Sequence, residues 1–128
     1  APSVRRFILD SYFATDKKVS YVNVLHGRGK RVVAEATIPR ALLREMLHVD
    51  PETFRRHASI TGLSAMMAGS SSNGLHAPNA LAALFIATGQ DVANVVEGAS
   101  SLFHLEVTPA GDLYVSLTLP SLIVATHG

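Results

Sequence analysis

The pattern of apolar and polar positions divides the chain into an early extended part, a central helical part and a late extended part. Residues 4–12 mix alternating and aromatic positions and read as a strand. Residues 19–25 (Val-Ser-Tyr-Val-Asn-Val-Leu) alternate with period two, and so do residues 31–38. Gly27-Arg28-Gly29 between them is a turn signal, so the spacing predicts a hairpin. Pro39 opens a short helix with an apolar stripe of Ala41, Leu42, Leu43, Met46 and Leu47. Asp50-Pro51-Glu52 starts a second helix running to about Ala68, with Asp50 as N-cap. Residues 69–74 are a break. A third and longest helix is predicted over roughly residues 76–96, with room for an interruption at Gly89. Its small residues Ala77, Ala80, Ala82, Ala83 and Ala87 suit a central helix packed closely on its neighbours. Residues 101–108 and 113–119 form a second hairpin across Pro109-Ala110-Gly111-Asp112, and residues 122–125 extend it past Pro120. Strands and helices are segregated, which argues for an α+β fold: an antiparallel sheet from two hairpins packed around a buried central helix.

A length of 128 residues fits a single domain over residues 1–128. Apolar residues make up 48% and charged residues 16%, a sparse charge for a free surface, so an interface is expected: a homo-oligomer or a partner chain. The 11 basic and 10 acidic side chains give no electrostatic reason to expect nucleic acid. All the basic residues lie at or before Arg56, which makes the later half neutral to acidic and mostly buried. There are no cysteines, so disulfides and thiolate zinc sites are excluded, and a reducing cytoplasm is the expected location. No apolar run reaches the ~18 residues of a membrane span, and Ala1-Pro2-Ser3-Val4-Arg5-Arg6 lacks the apolar core of a secretion signal. The six histidines show no paired metal-ligand spacing, so no metal is expected. Ser70-Ser71-Ser72 lacks the Gly-x-Ser-x-Gly context of a serine nucleophile.

Two polar runs stand out against this background. Thr15-Asp16-Lys17-Lys18 supplies adjacent charges in a loop, and Gly89-Gln90-Asp91 closes the small-residue helical stretch. A lysine and an aspartate that meet across a fold can stabilise and protonate a developing oxyanion. The lysine loop also reads as a plain solvated turn, and Asp91 as a plain cap. If buried among so many alanines, however, Asp91 needs a partner, and Lys17 is the candidate. His76 and Asn79 lie one helical turn apart on one face. His76 suits a helix cap, and Asn79 suits either a core hydrogen-bond network or a ligand contact. Gly27-Arg28-Gly29-Lys30 has neither the spacing nor the following helix of a phosphate loop and is read as a turn.

With these residues laid out, the chain resembles hydroxymethylglutaryl-coenzyme A reductase of the class found in eukaryotes, archaea and some bacteria. The likeness is carried by Thr15-Asp16-Lys17-Lys18, Gly27-Arg28-Gly29-Lys30, Val32-Val33-Ala34-Glu35-Ala36-Thr37-Ile38-Pro39, Met67-Ala68-Gly69-Ser70 and His76-Ala77-x-Asn79. It continues through Phe85-Ile86-Ala87-x-Gly89-Gln90-Asp91, Asp112-Leu113-Tyr114-Val115-Ser116 and Leu119-Pro120-Ser121. The resemblance implies the later half of the large substrate-binding domain, with the substrate loop at residues 10–19. It implies that Lys17 stabilises and protonates the thioester-derived oxygen during hydride transfer, that Asp91 tunes this lysine, and that Asp16, Lys18 and Asn79, with His76 beside them, line the acyl pocket. It also implies an oligomer whose active site forms between two subunits.

Departures from the family pattern bear on function. Asp10-Ser11-Tyr12 stands where the family has Ser-Gly-Asn, Val19 where a proline follows the two lysines, and Ser59 or Ile60 where a substrate-holding lysine is expected. No segment resembles the nicotinamide-binding domain, so the chain is expected to hold no cofactor itself, although the family uses NADPH or NADH. Three readings follow. The first in rank is a repurposed family member doing cofactor-free acid–base chemistry, a cyclisation or isomerisation, on a carbonyl small molecule. The second is part of a mevalonate-forming reductase acting on an acyl substrate with a missing partner segment. The third is a non-catalytic binding scaffold.

Overall fold

The computed structural model describes Ser3, Thr15 and residues 17–70, 72–73 and 76–125. The strand expected over residues 4–12 lies outside them. The elements run α1 (Tyr21–His26), β1 (Lys30–Ile38), α2 (Arg40–Leu47), α3 (Pro51–Met67), α4 (Ala77–Thr88), a 3-10 turn (Val92–Asn94), α5 (Val95–Gly98), β2 (Leu102–Val107) and β3 (Leu113–Leu122). The α+β expectation holds, with a three-stranded antiparallel sheet in the order β1-β3-β2. Among the described residues, no helix is long and apolar enough to cross a membrane.

Period-two alternation in β3 explains the sheet. Leu113, Val115, Leu117 and Leu119 point to the helices and the intervening residues point away. The chain's core has two parts. Ala77, Leu81 and Phe85 of α4 pack on Leu119, and Leu43 of α2 packs on Leu105 and Leu113. Pro120 lies within β3 and has no N–H to give to a neighbour. The β1–β3 register slips between Lys30 and Val32, opposite this proline.

The early hairpin is the main correction. Residues 19–25 do not pair with β1. Tyr21–His26 form the short helix α1 instead, and the strand beside β1 is the distant β3. Local chemistry favours the helix: the Ser20 side chain accepts the Asn23 N–H at 3.3 Å and caps the first turn. The alternating face also carries a polar residue at its centre. Asn23 is the buried member of α1, while Tyr21, Val22 and Leu25 are exposed. Continuous matching of β1 to β3 from Val32 to Ile38 outweighs the short-range β pattern of residues 19–25.

The third helix is shorter than expected. It stops at Thr88, where Gly89 takes the left-handed conformation (φ 69°) and donates its N–H back to Ile86. Only one stripe of α4, Ala77-Leu81-Phe85 at i, i+4, i+8, is buried. Leu84 and Ile86 are exposed, so in this chain the helix is covered on one face and not all round. Asp50 precedes α3 as expected, but its carboxylate does not cap that helix. It accepts instead from Arg40 and Arg44 of α2.

Phe85 is 1% exposed and Leu84, its neighbour on α4, is 53% exposed. Phe85→Ala is expected to cost about 3–5 kcal/mol, and Leu84→Ala less than about 0.5 kcal/mol. Urea unfolding of the two variants checks this. Equal losses would mean that α4 packs through a different face.

Candidate functional site

Lys17 lies in the loop before α1 with φ 53°, a left-handed conformation that costs a non-glycine residue about 1–2 kcal/mol. Its neighbours hold it there. The buried Asn23 side-chain amide donates to the carbonyls of Thr15 (3.0 Å) and Lys18 (2.8 Å), one on each side of Lys17. Asn23 is held in turn by β3: the Ser121 hydroxyl donates to its carbonyl at 2.6 Å. The Lys17 backbone N–H donates to a carboxylate oxygen of Glu97.

The same Glu97 oxygen, Oε1, accepts from the Arg28 guanidinium at 2.8 Å. Arg28 is aimed by the turn around it. Its N–H donates to Ser121 Oγ at 2.9 Å. Gly27 and Gly29 have φ of 70° and 80° and lie against the backbone of β3. A Cβ on Gly27 would come within 2.9 Å of the Pro120 carbonyl oxygen, and one on Gly29 would run into that of Leu122. Glu97 reaches the site because α5 lies close on α4, where a Cβ on Gly98 would meet Leu81 at 2.7 Å.

Gly89-Gln90-Asp91 has a separate task for each residue. Gly89 ends α4. The Gln90 side chain exchanges two hydrogen bonds with Ala125, donating to its carbonyl at 2.8 Å and accepting its N–H at 2.7 Å. Asp91 caps the 3-10 turn by accepting the Ala93 N–H at 3.0 Å through Oδ1, which leaves Oδ2 for Lys17 Nζ at 2.9 Å. The expected meeting of Lys17 and Asp91 is therefore present. Both side chains are about half exposed (47% and 51%), so the burial expected for them is absent and a small molecule has access to the pair. The Lys17 ammonium, and then the Ala93 N–H, hold the Asp91 carboxyl below the usual aspartate range.

The other expected site residues lie elsewhere or outside the described set. Asp16 is outside it. Lys18 is exposed, and its carbonyl is one of the two that Asn23 holds. His76 and Asn79 are exposed at the start of α4, whereas Asp91 follows its end. Twelve helical residues separate the two ends by about 18 Å. His76 is the N-cap position of α4 but makes no side-chain cap bond. It lines an apolar cavity of about 440 Å³ with Phe54, His57, Ala80, Phe103 and Leu117. The exposure of Asn79 removes it from any core network. Ser59, one of the two residues (with Ile60) standing where a lysine was expected, lines a smaller cleft of about 270 Å³ with Arg55 and His104. Among the described residues no cluster of three or more potential metal ligands occurs.

Glu97 and Asn23 were not foreseen from the sequence. A signal for Glu97 exists: it is an acid in a Val-Val-Glu-Gly-Ala run, in the half of the chain that lacks every lysine and arginine. Once buried there, it needs a cation from the first half.

The sequence matches hydroxymethylglutaryl-coenzyme A reductase across residues 1–128. The chain belongs to this reductase family. It is 42% identical over 128 residues to the 3-hydroxy-3-methylglutaryl-coenzyme A reductase of Pyrococcus horikoshii, covering 99% of this chain and 31% of that protein. It is 41% identical over 121 residues to that of Haloferax volcanii (94% and 30%) and 40% identical over 119 residues to that of Zea mays (91% and 21%). The chain thus spans less than a third of the length of these curated relatives.

The Lys17–Asp91 geometry sets a pH dependence. The Asp91 pKa is depressed in the folded chain, so the stabilisation from the pair is present above the ordinary aspartate range and is lost as pH falls through the depressed value. A carboxyl NMR titration is expected to place the Asp91 midpoint below that of an ordinary aspartate. Lys17→Met is expected to raise it. An unmoved midpoint in Lys17→Met would show that the two groups do not interact in solution.

Proposed function

We propose that this chain is the acyl-substrate side of a hydroxymethylglutaryl-coenzyme A reductase, with Lys17 as proton donor and Asp91 as the group that holds it. The observation that carries this reading is the 2.9 Å contact of Lys17 Nζ with Asp91 Oδ2, at a position open to a small molecule. An ammonium group held in advance beside the acyl oxygen stabilises negative charge where it develops and supplies a proton to the resulting alkoxide. Asp91 fixes the direction of Nζ. Lys18 lies beside Lys17 and suits the anionic end of an acyl substrate.

The family's nicotinamide does not fit the residues described here. Gly27-Arg28-Gly29-Lys30, the one glycine-rich turn among the described residues that resembles a phosphate cradle, leads into β1 and not into a helix, and it lies flat on the end of β3. Binding of NADPH or NADH, and the supply of hydride, are assigned to segments beyond these residues. A second subunit or further chain also suits the exposed apolar side chains Tyr21, Leu25, Met46 and Ile86.

The cofactor-free cyclisation or isomerisation gains nothing from the comparisons, which match the whole chain to reductases. A purely scaffolding role predicts a lysine loop with no carboxylate contact, and Lys17 has one.

In the reductase protein carrying this chain, Lys17→Ala is expected to lower kcat for thioester-dependent nicotinamide oxidation by about 10²–10⁴-fold, with the nicotinamide KM little changed. Asp91→Asn is expected to lower kcat in the same direction. Wild-type turnover in Lys17→Ala would remove the proposed role.

A further inference from the structure

Glu97 is fully buried. Its carboxylate is used unevenly. Oε1 accepts both the Lys17 backbone N–H and the Arg28 guanidinium, while Oε2 is buried with no hydrogen-bond partner among the described residues. A buried carboxylate used through one oxygen is a costly way to cap a loop, since a neutral side chain could accept the same N–H. The negative charge adds one thing that a neutral acceptor lacks. It draws the Arg28 cation onto the same atom, and so ties residues 17 and 28 to the α5 segment that follows Asp91.

We propose that Glu97 is a positioning residue for Lys17, setting the direction of its ammonium toward Asp91 by holding its backbone in the left-handed conformation. Glu97 lies six residues beyond Asp91, so one short segment supplies both the carboxylate that receives Nζ and the carboxylate that receives the backbone N–H. Without the Glu97 acceptor, the Lys17 N–H loses the partner that favours positive φ. Relaxation to negative φ then turns the Cα–Cβ bond away and carries Nζ off Asp91. Arg28 acts through Glu97: it presents the opposite charge and closes the Gly27-Arg28-Gly29 turn over the loop. Glu97 itself touches backbone and guanidinium, not substrate, so its effect on turnover is indirect. The part of this inference that concerns turnover rests on the proposed function, whereas the part that concerns the loop does not.

The test uses Glu97→Ala and Glu97→Gln in the reductase protein carrying this chain. Hydrogen exchange resolved to a peptide spanning residues 15–20 is compared with exchange in β3, and kcat and KM are measured on the same samples. The expected result is exchange in the loop peptide faster by about tenfold or more in Glu97→Ala, with β3 unchanged. The accompanying kcat is expected to fall by about 10–100-fold, with the nicotinamide KM within about twofold of wild type. Glu97→Gln keeps an acceptor but not the charge, and is expected to lie between wild type and Glu97→Ala. Should Glu97→Ala fail to fold, the near-isosteric Glu97→Gln carries the same comparison. A loosened loop in a protein whose wild type has no thioester reductase activity would uphold the positioning of Lys17 and remove the functional reading instead. Unchanged loop exchange in both variants overturns the proposal. So does loosening of the loop together with β3, or wild-type kcat despite a loosened loop.

Discussion

The site depends on a backbone constraint: Lys17 must stay in a left-handed conformation that its side chain disfavours. Three hydrogen bonds from two buried side chains maintain it. Asn23 holds the carbonyls of Thr15 and Lys18, and Glu97 accepts the N–H of Lys17 itself. Strain of this kind persists only where the surroundings over-determine it. These surroundings come from α1 and α5, which are separated in the chain by β1, three helices and the 3-10 turn. The loop is therefore shaped by tertiary structure and not by its own sequence.

Both holders rest on one platform, the C-terminal end of β3. Ser121 accepts from the Arg28 N–H and donates to the Asn23 carbonyl, so a single hydroxyl registers the glycine turn against α1. The glycines of that turn allow it to lie on the backbone from Pro120 to Ile123. Beyond the strand, Gln90 clamps Ala125 and so fixes where α4 ends and Asp91 begins. Leu119, two residues before Ser121, is buried beneath Phe85 and Leu81 of α4. Core packing thus fixes the relation between the end of the strand and the end of the helix, and the polar contacts transmit that relation to Lys17 and Asp91.

Much of this was legible in the sequence, and what was not has physical reasons. The late hairpin, the two helices after Pro39 and Asp50, and the break at Gly89 follow from periodicity, proline at the helix start and glycine, all of which act locally. The pairing of β1 was not legible, because alternation in residues 19–25 and in β3 is the same signal and only tertiary context selects between them. The meeting of Lys17 and Asp91 was inferred on the ground that an acid among alanines needs a partner. The meeting is present, but the ground applies better to another residue. Asp91 is half exposed and could do without a partner, whereas Glu97, in an equally apolar run, is the acid that is fully buried. Sequence reveals the neighbours of an acid but not its depth, and depth determines which acid requires a cation.

That distinction bears on why the Lys17–Asp91 pair exists. An ion pair with both members half in water contributes little to stability, because solvent screens it and two side chains lose freedom to form it. The exposed cluster of Arg40, Arg44, Asp50 and Glu52 differs in having a structural use, since Arg40 also binds the Gly111 carbonyl and Asp112 and so ties α2 to the β2–β3 turn. Lys17 and Asp91 tie together segments that Glu97 already joins from below. Their contact adds no connection the fold lacks, and the fold holds a disfavoured backbone conformation to make it. A scaffold under that constraint, supporting a solvent-accessible ammonium and carboxylate 2.9 Å apart, has the arrangement expected of a site that acts on a bound molecule rather than one that stabilises the chain.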